Sequence, residues 1–214
     1  MTQDVLEFAG QRLALPPTER GRARWRKIVE VAERLFIERG YANVTLSTIV
    51  AESGGSLQTV YKWFGNKEKL FLAILSVRIA DAQKKFEGAT FGGDSVEEVI
   101  SSAIDSITKN APFSLVRVGL FESGAPNQYR SKFLSYIERK VNVSCVEFFR
   151  RLRERHGVEY IVSDEETALV FIRYFRGLAL EIALGAEDAQ DRFETGKRLL
   201  KRTLLALVKT DAGA

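Results

Sequence analysis

Cysteine and histidine are almost missing from this chain: each occurs once, as Cys145 and His156. A lone cysteine excludes an internal disulfide and fits a reducing cytoplasm, the expected location. Zinc sites need several Cys or His donors, so no metal site and no cofactor is expected. A Cys–His hydrolase pair is poorly served too, because His156 lies in the charged run Arg153-Glu-Arg-His-Gly157. No G-x-x-x-x-G-K-[ST] and no G-x-G-x-x-G occurs, so no loop is built to cradle phosphates. The chain is therefore not expected to be an enzyme. Long apolar runs are also lacking. Ala168-Leu-Val-Phe-Ile172 is cut by Arg173, far short of the roughly 18 apolar residues of a membrane span. The first residues carry an early acid and no apolar core, so no secretory signal is expected. Proline occurs only at 16, 17, 112 and 126, which leaves room for long helices.

What is present is ordinary in amount and uneven in placement. Hydrophobic residues make up 45% and charged residues 28% of 214, which excludes whole-chain disorder. This length makes one large domain or two small ones. From Arg20 to Lys69 ten Lys and Arg face five Glu, a local excess of +5, whereas the chain as a whole carries +4. Residues 1–19 are net −2. A basic segment on a near-neutral body is the footprint of a nucleic-acid-binding module, or a chance excess of solvated charge.

Periodicity reads as helix throughout, with no alternation that marks a strand. Trp25, Ile28, Val29, Ala32, Leu35 and Phe36 form one apolar stripe, and Gly40 ends it. Thr45 and Ser56 are N-cap residues for two short helices, Leu46 to Glu52 and Leu57 to Trp63 or Phe64, separated by Gly54-Gly55. Asn66 caps a fourth helix from Lys67. Further helices are expected from Asp94 or Ser95 to about Lys109, Ser114 to Ser123, Asn127 to Arg155, Ser163 to Leu184 and Ala186 to Lys209. The fold class is all-α, with about nine helices. Residues 1–19, holding Pro16-Pro17, are expected to be a flexible N-terminal arm.

Two short helices joined by a Gly-bearing turn of three or four residues make a helix-turn-helix, or else an ordinary αα-corner. In the DNA-binding form the second helix enters the major groove. Val60 and Phe64 are four apart and face inward. Gln58, Thr59, Tyr61 and Lys62 are left outside. Gln pairs with adenine, Thr bonds or touches a thymine methyl, and Tyr and Lys suit phosphates.

The stretches Ile28-Val-Glu-Val-Ala-Glu-Arg-Leu-Phe-Ile-Glu-Arg-Gly-Tyr-Ala-Asn-Val-Thr-Leu-Ser-Thr-Ile-Val-Ala-Glu-Ser-Gly54 and Thr59-Val-Tyr-Lys-Trp-Phe-Gly-Asn-Lys-Glu-Lys-Leu-Phe71 resemble the DNA-binding domain of the TetR family of bacterial transcriptional regulators. The resemblance covers about 50 of 214 residues. Two positions depart from the family pattern: Gly55 where Val is common, and Trp63 where Tyr or His is usual. The resemblance implies a three-helix DNA-binding domain over 20–66 and a larger helical ligand-binding and dimerisation domain over 67–214. It implies phosphate contacts from Thr45, Leu46 and Ser47 at the start of the second helix. Ser56, Leu57, Gln58 and Thr59 would meet bases or nearby backbone, Tyr61 a phosphate, and Lys62 and Trp63 base edges or backbone. Lys67 would add charge at a helix N-terminus, which already favours an anion. Arg22 and Arg24 would track the DNA backbone or enter the minor groove, or are plain solvated charge.

The Ser163–Leu184 helix is apolar almost all round, as a helix buried on more than one side would be. With the last helix it would complete the monomer core or build a four-helix interface with a twin, which the resemblance favours. Arg173 and Arg176 interrupt it, and buried charges must pair or touch water or ligand, so they would pair, as across the dimer, or Arg173 would line a ligand cavity. Phe113, Val116, Leu120, Phe148, Phe149, Leu152, Phe171, Arg173, Tyr174 and Phe175 are the candidate ligand-binding residues, each equally readable as core. Val116–Glu122 and Arg176–Gly185 resemble the AefR-like subset of the family. The expectation is a homodimeric, ligand-responsive repressor of a palindromic double-stranded DNA operator, released by a small-molecule effector and independent of membranes. The alternative is an all-α small-molecule-binding protein or enzyme with a vestigial helix-turn-helix.

Overall fold

The computed structural model describes residues 5–8, 11–89, 93–121, 127–184 and 188–209. Nine helices run through them: α1 (Glu19–Arg39), α2 (Leu46–Ser53), α3 (Leu57–Phe64), α4 (Lys67–Ala89), α5 (Val96–Asn110), α6 (Phe113–Phe121), α7 (Asn127–His156), α8 (Asp164–Leu184) and α9 (Ala189–Ala206). The fold is all-α but for one hairpin. Strands β1 (Val5–Phe8) and β2 (Gln11–Ala14) pair antiparallel, with Val5 opposite Ala14 and Phe8 opposite Gln11. Sequence periodicity gave no strand there. Four residues per strand are too few for alternation to stand out, and the pairing is visible only across the turn.

Helix starts follow the capping chemistry. Thr18, Thr45, Ser56 and Ser95 each accept a hydrogen bond from the amide three residues on. Asn66 Oδ1 accepts from the Lys69 amide at 2.8 Å. Ser163 and Glu166 cap each other reciprocally, amide to side chain in both directions. Helices α1, α2 and α3 end at Gly40, Gly54 and Gly65, whose amides return to the carbonyls of Phe36, Val50 and Tyr61.

The chain forms two compact units, residues 1–80 with 114–136, and residues 81–113 with 137–214. In the first, the α1 stripe is fully buried. Trp25 stacks on Phe64 (5.6 Å between ring centroids), and Phe36, Tyr41 and Phe71 pack mutually at 5.3–5.4 Å. Those contacts tie α1 to α3, to the chain after α1, and to α4. Arg78 on α4 holds Glu33 on α1 through a two-nitrogen contact.

In the second unit, Val99, Ile100, Ala103 and Ile104 of α5 meet Cys145, Phe148, Phe149 and Leu152 of α7. Ala168, Phe171 and Ile172 of α8 and Leu200 and Leu204 of α9 close the core. Gly196 lets α8 and α9 approach, since a Cβ there would fall 2.1 Å from Leu178 Cδ2. The sequence reading carried the last helix to Lys209. It stops at Ala206 because the chain leaves to pair with the α7–α8 connection: Ile161 N–H donates to Leu207 O (2.8 Å) and Lys209 N–H to Glu159 O (2.7 Å). Among the described residues no helix is long and apolar enough to cross a membrane.

Burial pushes the Cys145 thiol up to about 12. The folded state therefore favours the neutral thiol. That preference stabilises the fold below the ordinary thiol value, about 8.5, and is lost as pH rises toward 12. At pH 8 iodoacetamide is expected to leave Cys145 unmodified in the native protein and to label it in urea. Native labelling at the rate of a free thiol would contradict this.

Candidate nucleic-acid interface

Helices α2 and α3 form a helix-turn-helix held together by few side chains. Only Val60 and Phe64 of α3 are buried, and Leu46, Ile49 and Ser53 of α2. The turn between them is Gly54-Gly55-Ser56, with φ of +77° and +102° at the glycines. A residue with a Cβ is strained in that region, so both glycines are required by the backbone.

The outward positions of α3 are those expected from its spacing. Ser56, Leu57, Gln58, Tyr61 and Lys62 are exposed, Tyr61 at 54%, while Thr59 and Trp63 are half-buried. Ser56 Oγ receives the Thr59 amide (3.2 Å) and lies 3.0 Å from Thr59 Oγ1. At the α2 start, Thr45 and Ser47 are exposed and Thr45 Oγ1 receives the Thr48 amide at 3.1 Å. Leu46 has a buried side chain, so only its backbone amide is available to a phosphate. Two helix N-termini, at 46 and 57, thus sit beside a row of hydroxyls, an amide, a phenol and an ammonium. Such groups bind phosphate oxygens and base edges.

Three of the expected phosphate ligands have structural partners. Arg22 Nε donates to Pro16 O at 3.2 Å. Arg24 Nη1 donates to Ser53 O at 3.2 Å. Lys67 Nζ donates to Tyr41 O and Val44 O, both at 2.9 Å, and lies 4.3 Å from the Tyr41 ring centroid. Burial lowers the Lys67 pKa from its ordinary value. Burial, with Glu68 nearby, pushes the Tyr41 phenol up to about 12. Sequence reasoning missed a second group. Glu52 at the end of α2 accepts from both Arg34 and Arg39 of α1, and the Arg34 hydrogen bond holds its carboxyl below the ordinary range. The partners are 18 and 13 residues apart in sequence, so no local spacing announces them.

Four of the eight candidate pocket residues in the second unit are buried in its core. Phe148, Phe149, Leu152 and Phe171 are buried. Phe149 packs edge-on to Phe148 (5.0 Å), Tyr160 (6.1 Å) and Phe171 (5.9 Å). Phe113, Tyr174 and Phe175 are half-buried, with Phe113 against Phe175 (5.8 Å) and Phe193 (6.0 Å). Val116, in the first unit, is half-buried, and the Leu120 side chain lies outside the described residues. Arg173, which the sequence leads one to expect paired or lining a cavity, is exposed within the chain. Arg176 is exposed too and pairs within the chain with Glu138 at 2.9 Å. The reason is that α8 keeps a solvent-facing side carrying Leu169, Arg173, Arg176 and Leu180. Among the described residues no cluster of three metal-ligating side chains occurs.

Fold and site together define a helix-turn-helix protein with a second, helical unit. Residues 28–74 match the family model of bacterial regulatory proteins, tetR family. The match takes in 47 of the 214 residues, from within α1 through α2 and α3 into α4. It is 30% identical over 83 residues to the uncharacterized HTH-type transcriptional regulator YfiR of Bacillus subtilis (strain 168), a match spanning 39% of this chain and 40% of that protein. Among solved structures it is similar to Salmonella enterica GusR (21% identity, TM-score 0.70, 91% of this chain and 99% of that one). It is also similar to the fatty acid degradation regulator FadR from Bacillus halodurans (16%, 0.67, 83% and 94%). A third is SmeT in complex with triclosan (20%, 0.66, 89% and 93%). At these identities the structures establish the fold.

Replacing Lys67 with Met leaves two backbone carbonyls without their ammonium. We expect a loss of about 1–3 kcal/mol in urea unfolding, the range for hydrogen bonds from charged groups. An unchanged midpoint would mean that water replaces the ammonium at no cost.

Proposed function

We propose that the chain is a homodimeric transcriptional repressor of the cytoplasm, bound to a palindromic operator and released by a small molecule. The observation that carries this reading is α3, the second helix of the helix-turn-helix, which anchors itself by Val60 and Phe64 and shows Gln58, Tyr61 and Lys62 to solvent. Gln58, in the first turn, would read a base edge. Thr59 and Leu57 would touch neighbouring bases, and Tyr61, Lys62 and Trp63 the flanking backbone. Thr45, Ser47, Ser56 and the Leu46 amide would take phosphates. Lys67 and Arg22 would add charge behind their structural bonds. A two-fold protein would place two such helices about 34–36 Å apart on successive major grooves.

The dimer is supported by α8 and α9. Leu169, Leu180 and Leu199 are 39–49% exposed on those helices, beside ion pairs that are already closed within the chain. A second copy would cover them. An effector would be bound in the second unit, where half-buried Phe113, Tyr174 and Phe175 offer ring faces. The Ser106 hydroxyl, buried there without a hydrogen-bond partner, offers a polar contact. A complex of the similar protein SmeT with triclosan supports such a ligand.

Selection from random duplexes with the full-length protein is expected to return an inverted repeat. Gln58→Ala should then cost about 1–3 kcal/mol at one base position per half-site. A uniform loss over all sequences would make Gln58 a backbone contact, and failure to select any sequence would overturn the reading. Sedimentation should show a dimer that Leu199→Glu converts to monomer. Undisturbed sedimentation of that variant would remove α9 from the interface.

A further inference from the structure

Two of the three turn residues between α2 and α3 carry no side chain, and the turn's own polar contacts are the Ser53 hydroxyl donating to Gly54 O (3.2 Å) and Ser56 Oγ capping α3. Gly54 and Gly55 both have positive φ and neither bears a Cβ. The space such side chains would use is occupied from outside. A Cβ on Gly54 would lie 3.0 Å from Arg24 Nη1. One on Gly55 would lie 3.5 Å from Nη1, 3.6 Å from Cζ and 3.8 Å from Nε of the same residue. The guanidinium therefore fills the space beside both glycines that side chains there would take. Its Nη1 also donates to Ser53 O (3.2 Å), a carbonyl at the end of α2. This cationic donor caps a helix C-terminus, where the backbone dipole favours it.

We infer that Arg24 is a positioning residue for DNA reading. It acts through the turn, setting where the first residues of α3 stand, and is not one of the phosphate contacts. The inference rests on the helix-turn-helix reading above and adds a distinct consequence. Loss of a phosphate contact weakens all duplexes alike and lowers the slope of log affinity against log salt by about 0.9. Loss of a positioning contact lowers the discrimination between sequences and leaves that slope unchanged. Lysine cannot replace Arg24, because an ammonium is compact where the guanidinium is planar and reaches past both glycines while donating to Ser53 O.

The test uses full-length wild type, Arg24→Lys and Arg24→Gln. Amide hydrogen exchange is measured on the free proteins. Binding is measured to a duplex selected by the wild type and to an unrelated duplex, over a range of salt. Both variants should exchange the amides of residues 56–60 about fivefold faster, as expected for loss of one hydrogen bond. Exchange in residues 28–36 should be unchanged, which excludes general unfolding. Both should lose about tenfold in discrimination between the two duplexes, with the salt slope of the wild type retained. Unchanged exchange in both variants would overturn the proposal. So would faster exchange with discrimination intact. So would an Arg24→Lys protein like wild type beside an Arg24→Gln protein weakened equally on both duplexes with a slope lower by about one, the mark of a phosphate contact. If the wild type selects no duplex, the DNA-binding reading fails, and the exchange result alone decides whether Arg24 holds the turn.

Discussion

An eight-residue helix with two buried side chains cannot hold its own position, and the site depends on how α1 supplies what α3 lacks. Isolated helices of that length are marginal in water. Val60 and Phe64 give α3 one strip of attachment, and Phe64 reaches Trp25 of α1. The rest of the constraint is polar and acts on α2 and the turn. Arg34 and Arg39 hold the Glu52 carboxylate, and Arg24 holds the Ser53 carbonyl one residue later. Each exposed ion pair is weak alone, about 0–1 kcal/mol. Their common target is the end of α2, so together they restrict the direction in which the chain leaves that helix. A recognition helix exposed enough to enter a groove has little apolar surface left for anchoring. Its neighbours must do that work with charge.

This changes the meaning of the basic segment. The excess of +5 over residues 20–69 reads at first as charge aimed at nucleic acid. Several of its ten basic side chains are engaged inside the protein: Arg26 with Glu19, Arg34 with Glu38 and Glu52, Arg39 with Glu52, Lys67 with two carbonyls. A paired arginine contributes little field at a distance, because its partner carboxylate cancels most of it, and salt screens the unpaired charges beyond the Debye length, about 8–10 Å at moderate salt. Net charge is therefore a fair guide to which face attracts DNA. It is a poor guide to which residues touch it.

Helix boundaries were legible because each has a local chemical marker. Thr45, Ser56 and Asn66 cap the starts, and Gly40, Gly54 and Gly65 mark the ends. The outward set on α3 was legible for a similar reason, since two apolar residues four apart fix which side faces in. What escaped the sequence depends on partners far along the chain. The β1–β2 pairing, the Tyr160–Val208 bridge that stops α9, and the Arg24–Ser53 contact all join residues with no shared periodicity. The aromatic residues of the second unit are ambiguous for a different reason. Phe148 and Phe171 lie on stripes that serve a packed core and a lined cavity equally well, and only neighbours such as Phe149 decide between them.

The same limit applies to α8, whose apolar run predicts burial on several sides without saying by what. Ala168, Phe171, Ile172 and Leu178 are buried within this chain, while Leu169 and Leu180 remain on the other side with Arg173 and Arg176. An arginine within an apolar helix need not be a buried charge when the helix keeps a face outside the core. The ion pairs on that face, Arg176–Glu138 and Arg192–Glu181, close within one chain. Leucines flanked by charges that need no outside partner have the composition of an apolar interface centre with a polar rim. Such a face can meet a second copy with Arg176 and Arg192 already paired, because those two charges carry their partners with them. On that view Arg176 is compatible with assembly, and the apolar residues beside it would supply the driving force of one.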